Sequence, residues 1–271
     1  MIKERISLPI IFLLLILSLN SVANAALPFV TDDSNTQDPN QLAIETFAEK
    51  WDLPKKTENN KESTTLYGYF LSGSYGLSKN LELTMAANIG YDTKEEKTSF
   101  MNPIMQLKTK IFEHQNPEIP AIAIDFGYAN KNGSGEYFDP ANNYYAIGTA
   151  TSHLFNDKLV IHLNLGQKAS FDIPNGHIYR THLGIAFDVA LINKFRLVIE
   201  SYNGAPNSPR DSPNFFHSYQ AGIKWVNSDQ LSIYTIYGSQ PTYAGNNSNG
   251  TMLFRNTSWI QCGARIVFDT L

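Results

Sequence analysis

From Leu81 to Asp92 the chain alternates. Leu81, Leu83, Met85, Ala87, Ile89 and Tyr91 fall on one side, and Glu82, Thr84, Ala86, Asn88 and Gly90 on the other. A period of two belongs to a β-strand, whose successive side chains point to opposite faces. The pattern recurs. Leu159, Ile161, Leu163 and Leu165 oppose His162, Asn164 and Gly166, and Leu183, Ile185, Phe187, Val189 and Leu191 oppose Gly184, Ala186 and Asp188. Ile122, Ile124, Phe126 and Tyr128 flank Asp125, and Tyr219, Ala221, Ile223 and Trp225 flank Gln220 and Lys224. The alternation predicts strands near 41–52, 63–77, 80–92, 101–113, 119–130, 142–155, 157–169, 179–191, 193–204, 215–227, 229–240 and 256–269. No helical period competes with it.

The connections alternate too. Tight ones stand at Ser78-Lys79-Asn80, His114 to Glu118, Asn156-Asp157, Ile192-Asn193-Lys194 and Asn227-Ser228-Asp229. Between them come longer polar stretches near 53–62, 93–100, 130–141, 170–178, 204–214 and 240–255. Short periplasmic turns and long extracellular loops produce this rhythm in a transmembrane antiparallel up-and-down β-barrel, and twelve is an even strand number as such barrels use. A soluble β-sandwich has no reason to alternate its loops by length.

The start of the chain supports the same compartment. Lys3 and Arg5 precede an apolar run from Ile6 to Leu19, and Ala23 and Ala25 occupy the small-residue positions of a cleavage site. This reads as a secretory signal peptide over 1–25. The run falls short of the ~20 residues a spanning helix needs. Residues 26–40 read as a polar periplasmic leader that either hangs free or reaches into the lumen, and 41–271 as an outer-membrane β-barrel. With no later apolar helix, a closed barrel is the way such a chain crosses a bilayer.

Composition adjusts the picture in three respects. Only 17% of residues are charged, while Tyr and Phe number 14 and 16, which suits a greasy outside with aromatic rims. The formal net charge of -4 argues against a nucleic-acid partner. Cys262 is the single cysteine, which excludes an intramolecular disulfide and a cysteine-based zinc cluster. The expected partners are outer-membrane lipid, the barrel-insertion machinery and a small-molecule solute.

If the apolar faces meet lipid, the opposite faces collect the ionisable groups. Candidates for lining the lumen are Glu45, Glu82, Asp125, Asp188, Glu200, Lys108, Lys110, Arg196, Lys224, Arg265 and His162, with Glu49 and Lys168 on the same faces. Two readings stay open: a pore wall with both signs of charge, or salt bridges that brace a closed barrel. The functional expectation is a channel or transporter for a small solute, with an apolar or aromatic compound as the narrower form. Its rival is a non-conducting barrel acting through its extracellular loops. Tyr67, Tyr69, Tyr75, Tyr91, Tyr128, Trp225 and Tyr237 read as interface girdles, while Phe215, Phe216 and Tyr243 border long loops.

Pro28-Phe29-Val30-Thr31-Asp32-Asp33, followed by Thr36-Gln37, Gln41-Leu42 and Ile44-Glu45, resembles the opening of outer-membrane proteins grouped under the MetA pathway of phenol degradation. Gln106-Leu107-Lys108 with Lys110 is similar to a mid-chain strand of that family. The resemblance implies a transporter-like barrel with a short periplasmic leader and a glutamate in the first strand, and its name implies uptake of aromatic compounds.

An enzyme is not expected. Ser248-Asn249-Gly250 matches part of the His-x-Ser-Asn-Gly run of outer-membrane phospholipase A, but Asn246 stands where the histidine would. A serine without a base has no activator. No cofactor or metal is expected: Asp32 and Asp33 read as solvated leader carboxylates, and His153, His162, His177, His182 and His217 lack helical ligand spacing.

Overall fold

The computed structural model describes residues 30–53, 64–130, 142–173, 176–203, 218–246 and 252–270. The stretch 1–25 expected to be a signal peptide, most of the 130–141 stretch, Phe215, Phe216 and Ser248-Asn249-Gly250 lie outside them. The strands are β1 (Gln41–Leu53), β2 (Thr64–Ser78), β3 (Leu81–Asp92), β4 (Lys97–Phe112), β5 (Ala121–Ala129) and β6 (Asn142–Leu154). They continue as β7 (Leu159–Ile173), β8 (Gly176–Ile192), β9 (Phe195–Asn203), β10 (Ser218–Ser228), β11 (Leu231–Asn246) and β12 (Met252–Asp269). Each pairs antiparallel with its chain neighbours, and β1 pairs with β12 to close the barrel. Closure leaves no open edge, so the ladder satisfies the backbone polar groups that lipid cannot.

Three connections differ from expectation. Asp92 pairs with Lys97, Ile173 with Gly176 and Asn246 with Met252, so much of the stretches 93–100, 170–178 and 240–255 is strand rather than loop. Beyond the apolar belt a strand pair still gains ladder hydrogen bonds but needs no greasy face. The hydrophobic period therefore stops before the strand does. At the opposite end the turns stay tight. Asn156, Asp157 and Asn193 take left-handed φ values of 54, 61 and 46°, which Asn and Asp tolerate better than branched residues.

The outer face is apolar. Met85, Met105, Leu163, Leu165, Ile199, Ile223, Ile233 and Ile260 are exposed around the middle of the wall. Tyr67, Tyr91, Tyr144, Tyr179, Tyr219 and Tyr237 are exposed toward the loop end, and Phe112, Phe155 and Phe195 toward the turn end. These are the two aromatic girdles flanking a lipid-facing band. The core of this molecule is the lumen, where most of the buried side chains are polar.

Candidate functional site

The alternate positions on every strand point inward, and the ladder decides which of them meet. Lys108 on β4 stands directly between Glu82 on β3 and Asp125 on β5. Arg265 on β12 stands opposite Glu45 on β1. Asp188 on β8 receives Lys224 from β10 at 2.5 Å and is also paired with Arg196 from β9. Glu200 on β9 stands opposite Gln220 on β10, whose amide donates to it. His162 on β7 shares a 3.0 Å contact with the Thr151 hydroxyl of β6. Lys110 lies close to the turn end and pairs with Glu113 at 3.0 Å. Glu82, Lys108, Asp125, His162, Asp188, Glu200, Lys224 and Arg265 are all buried. Glu45, Lys110 and Arg196 are half-buried.

The lumen is not empty. Residues 30–38, part of the leader expected either to hang in the periplasm or to reach into the lumen, run inside the barrel. Asn40 takes a φ of 64° where the chain turns from the leader into β1, and its backbone N–H donates to the Gly76 carbonyl. From there the leader climbs the inner wall. The Gln37 N–H donates to Glu82 at 2.8 Å and the Ser34 N–H to Thr151 at 2.9 Å. The Asp32 N–H donates to Asn164 Oδ1 at 2.8 Å, and the Asn164 amide returns a bond to the Asp32 carbonyl at 2.9 Å. Thr31 donates its N–H to Glu200, as does Val30 at 3.3 Å. Thr31 and Ser34 have no exposed surface.

The Asp32 carboxylate supplies the strongest tie. It sits 2.7 Å from Lys108 Nζ, with Asp33 3.9 Å from the same ammonium. The Gln106 amide donates to both Asp32 and Asp125, and the Tyr145 hydroxyl donates to Gln106 at 2.9 Å. A lysine taken out of water must be paired and hydrogen-bonded, and the leader provides one of its carboxylates. The wall is shaped for this guest. A Cβ on Gly184 would fall 2.3 Å from Thr31 Oγ1, and one on Gly76 would fall 2.1 Å from the Asp38 carbonyl oxygen. Two wall positions thus lack a side chain where the leader's own atoms lie.

Sequence reasoning did not single out the inward aromatics. Trp51 and Trp259 stack with centroids 4.6 Å apart, and Tyr202 and Val30 complete the cluster at the upper tip of the leader. Phe47 stacks on Phe70 at 4.5 Å. Tyr234 donates its hydroxyl to Glu45 at 3.0 Å. Parity is the available signal: Phe47 and Trp51 share the alternate positions of Glu45 and Glu49. No group of three metal-ligating side chains gathers among the described residues.

No family model and no curated protein matches this chain. Solved structures do. The outer membrane channel from Pseudomonas putida F1 designated COG4313 superposes with a TM-score of 0.61 over 87% of this chain and 98% of that one, at 6% identity. The fold is that of an outer-membrane β-barrel. The KdgM porin in complex with disordered oligogalacturonate gives 0.52 over 83% and 99% at 10% identity. The NanC porin gives 0.50 over 83% and 98% at 8% identity. With its apolar outer belt, this fold places the chain in the bacterial outer membrane.

Proposed function

We propose that the protein is a channel for a small solute whose conducting path is set by a leader seated in the lumen. The observation that carries this reading is the Asp32–Lys108 tie, together with the glycines that make room for the leader. A wall built only to brace a barrel would fill these positions with its own side chains. Here one of the carboxylates around Lys108 comes from a segment that enters the barrel's strands through the turn beside Asn40 and is otherwise held by side-chain contacts with the wall. Such a segment can shift or leave without unzipping any strand. The structural likeness to a channel and to two porins agrees with this reading.

The narrower reading, an apolar or aromatic solute, is supported by Trp51, Trp259 and Tyr202 at the leader's tip. Membership of the family named for the MetA pathway of phenol degradation is supported by the leader motif. Thr31, Asp32 and Asp33 of that motif are the residues that contact Glu200, Asn164 and Lys108.

A second reading has its own observation. The lumen groups are largely buried and mutually paired, which suits a closed barrel acting through loops such as 130–141. Planar-bilayer recording of the purified protein separates the two. Channel events in the wild type, enlarged when the leader is weakened by Lys108→Gln, are expected. Silence in both proteins under every solute tested would favour the closed barrel.

A further inference from the structure

The wall takes hold of the leader by its main chain. The N–H groups of Val30, Thr31, Asp32, Ser34 and Gln37 all donate to wall side chains: the first two to Glu200, then one each to Asn164, Thr151 and Glu82. Asn164 reads both groups of one residue, since its carboxamide accepts from the Asp32 N–H at 2.8 Å and donates to the Asp32 carbonyl at 2.9 Å. Glu200, Asn164, Thr151 and Glu82 sit on β9, β7, β6 and β3. Among the described residues, no backbone–backbone bond joins residues 30–38 to a strand. Side chains of the wall do for this segment what a neighbouring strand would do.

The leader's own side chains are read more selectively. Asp32 meets Lys108 at 2.7 Å and the Gln106 amide at 3.3 Å, and Val30 packs on the cluster of Tyr202 and Trp259. Ser34 is the contrast. Its N–H bonds to Thr151, but its buried hydroxyl has no hydrogen-bond partner among the described residues. A wall matched to this one sequence would have satisfied that hydroxyl, because a buried unpaired polar group is costly. Main-chain bonds give affinity for peptides at large, and a few side-chain contacts choose among them. Lys108 also keeps Glu82 and Asp125 beside it in register, so the acidic side chain tunes the choice and the main chain supplies the grip. A small aromatic solute could use the ring cluster, but it has no row of N–H donors to set against Glu82, Thr151, Asn164 and Glu200.

We propose that residues 30–37 occupy a peptide track and that the solute of the channel is a short peptide taking their place. Its main chain bonds to Glu200, Asn164, Thr151 and Glu82. An acidic side chain meets Lys108, and an apolar one two residues earlier meets Tyr202 and Trp259. The leader holds the track until such a peptide competes for it. The inference rests on the channel reading above and names the class of solute for it.

The test uses the purified protein with its leader intact and acetyl-Val-Thr-Asp-Asp-Ser-Asn-amide, which repeats residues 30–35. Three analogues accompany this parent: one N-methylated at the residue matching Asp32, one with Asn for both acids, and one with Ala for Ser. The N-methylated peptide keeps every side chain and loses the donor that Asn164 accepts. Proteoliposomes should take up the parent and the Ala peptide alike, and the N-methylated and Asn peptides at roughly a tenth of that rate. A second readout follows the leader. Ser34 has no exposed surface, so Ser34→Cys in a Cys262→Ser protein should react with a maleimide only when the leader has moved aside. The parent peptide should speed that labelling several-fold, and the N-methylated one should not. Heat-modifiable migration on gels checks folding; if Ser34→Cys does not fold, uptake by the wild type decides. Parent uptake no faster than that of the N-methylated peptide, or a folded Ser34→Cys protein whose labelling the parent leaves unchanged, overturns this inference. Channel events in planar bilayers would then leave the channel reading standing, whereas silence of both the wild type and Lys108→Gln overturns the two together.

Discussion

Asp32 and Lys108 form the contact on which the lumen turns: a carboxylate of the leader sits 2.7 Å from an ammonium that is otherwise held within the wall between Glu82 and Asp125. The wall lysine has two wall carboxylates beside it in register, yet its short contact goes to the leader. Removing Lys108 would leave Glu82 and Asp125 buried without their cation, whereas removing the Asp32 charge takes from Lys108 its short contact but not its two wall carboxylates. The leader is thereby bound to the barrel's own charge balance.

Weakening that contact should free the leader and leave the barrel folded. Lys108→Gln and Asp32→Asn should each speed protease cleavage of the leader in detergent-solubilised protein, and the double variant should add little to either. Full additivity would show that the two residues act separately. These substitutions act through the leader, so a neutral change at Lys108 or Glu82 is expected to alter occlusion before it alters ion preference.

Gly184 tests the fit of the leader's tip. A side chain there would begin 2.3 Å from Thr31 Oγ1, whereas one on Gly148 would meet its nearest neighbour, the Leu165 carbonyl oxygen, at an ordinary 3.6 Å. Gly184→Val should displace the tip and raise conductance, with heat-modifiable migration retained. Gly148→Ala should behave as wild type in both assays.

The lipid face should reject charge. Leu163 is 49% exposed on the outer surface, opposite Ile185 in the β7–β8 ladder. Arginine at either position costs about 2–4 kcal/mol near the bilayer midplane. Leu163→Arg and Ile185→Arg should lower the yield of heat-modifiable protein in liposome assembly, and Glu82→Gln should not. Equal damage from both kinds of change would reverse the assignment of inside and outside.

Asp188 carries two cations at once, Lys224 and Arg196. Asp188→Asn should therefore destabilise the barrel by about 3–5 kcal/mol, read from urea unfolding in lipid. Lys224→Met should cost less, because Asp188 keeps Arg196 and no buried cation is stranded.

Strand number, order and facing were legible in the sequence because each is local. Lipid on one side and a polar interior on the other impose a period of two on every strand, and that imprint survives in Leu81–Asp92 or Leu183–Leu191 without knowledge of any neighbour. The tight turns were legible for the same reason, since Asn156, Asp157 and Asn193 accept left-handed backbone where the chain must reverse. Strand ends beyond the belt were not, as Lys97 shows: once both faces are wet, the hydrophobic period vanishes while the hydrogen bonds continue. The inside of the barrel belongs to the tertiary structure. Nothing in Pro28 to Asp33 says that the segment climbs past Glu82, Thr151 and Asn164 to reach Glu200. Those residues lie on strands far apart in the chain, and they surround one space only after β1 meets β12. Composition supplied equal numbers of candidate lumen cations and anions. Closure decided that Lys108 and Lys224 are buried against carboxylates, because accessibility depends on what fills the space opposite.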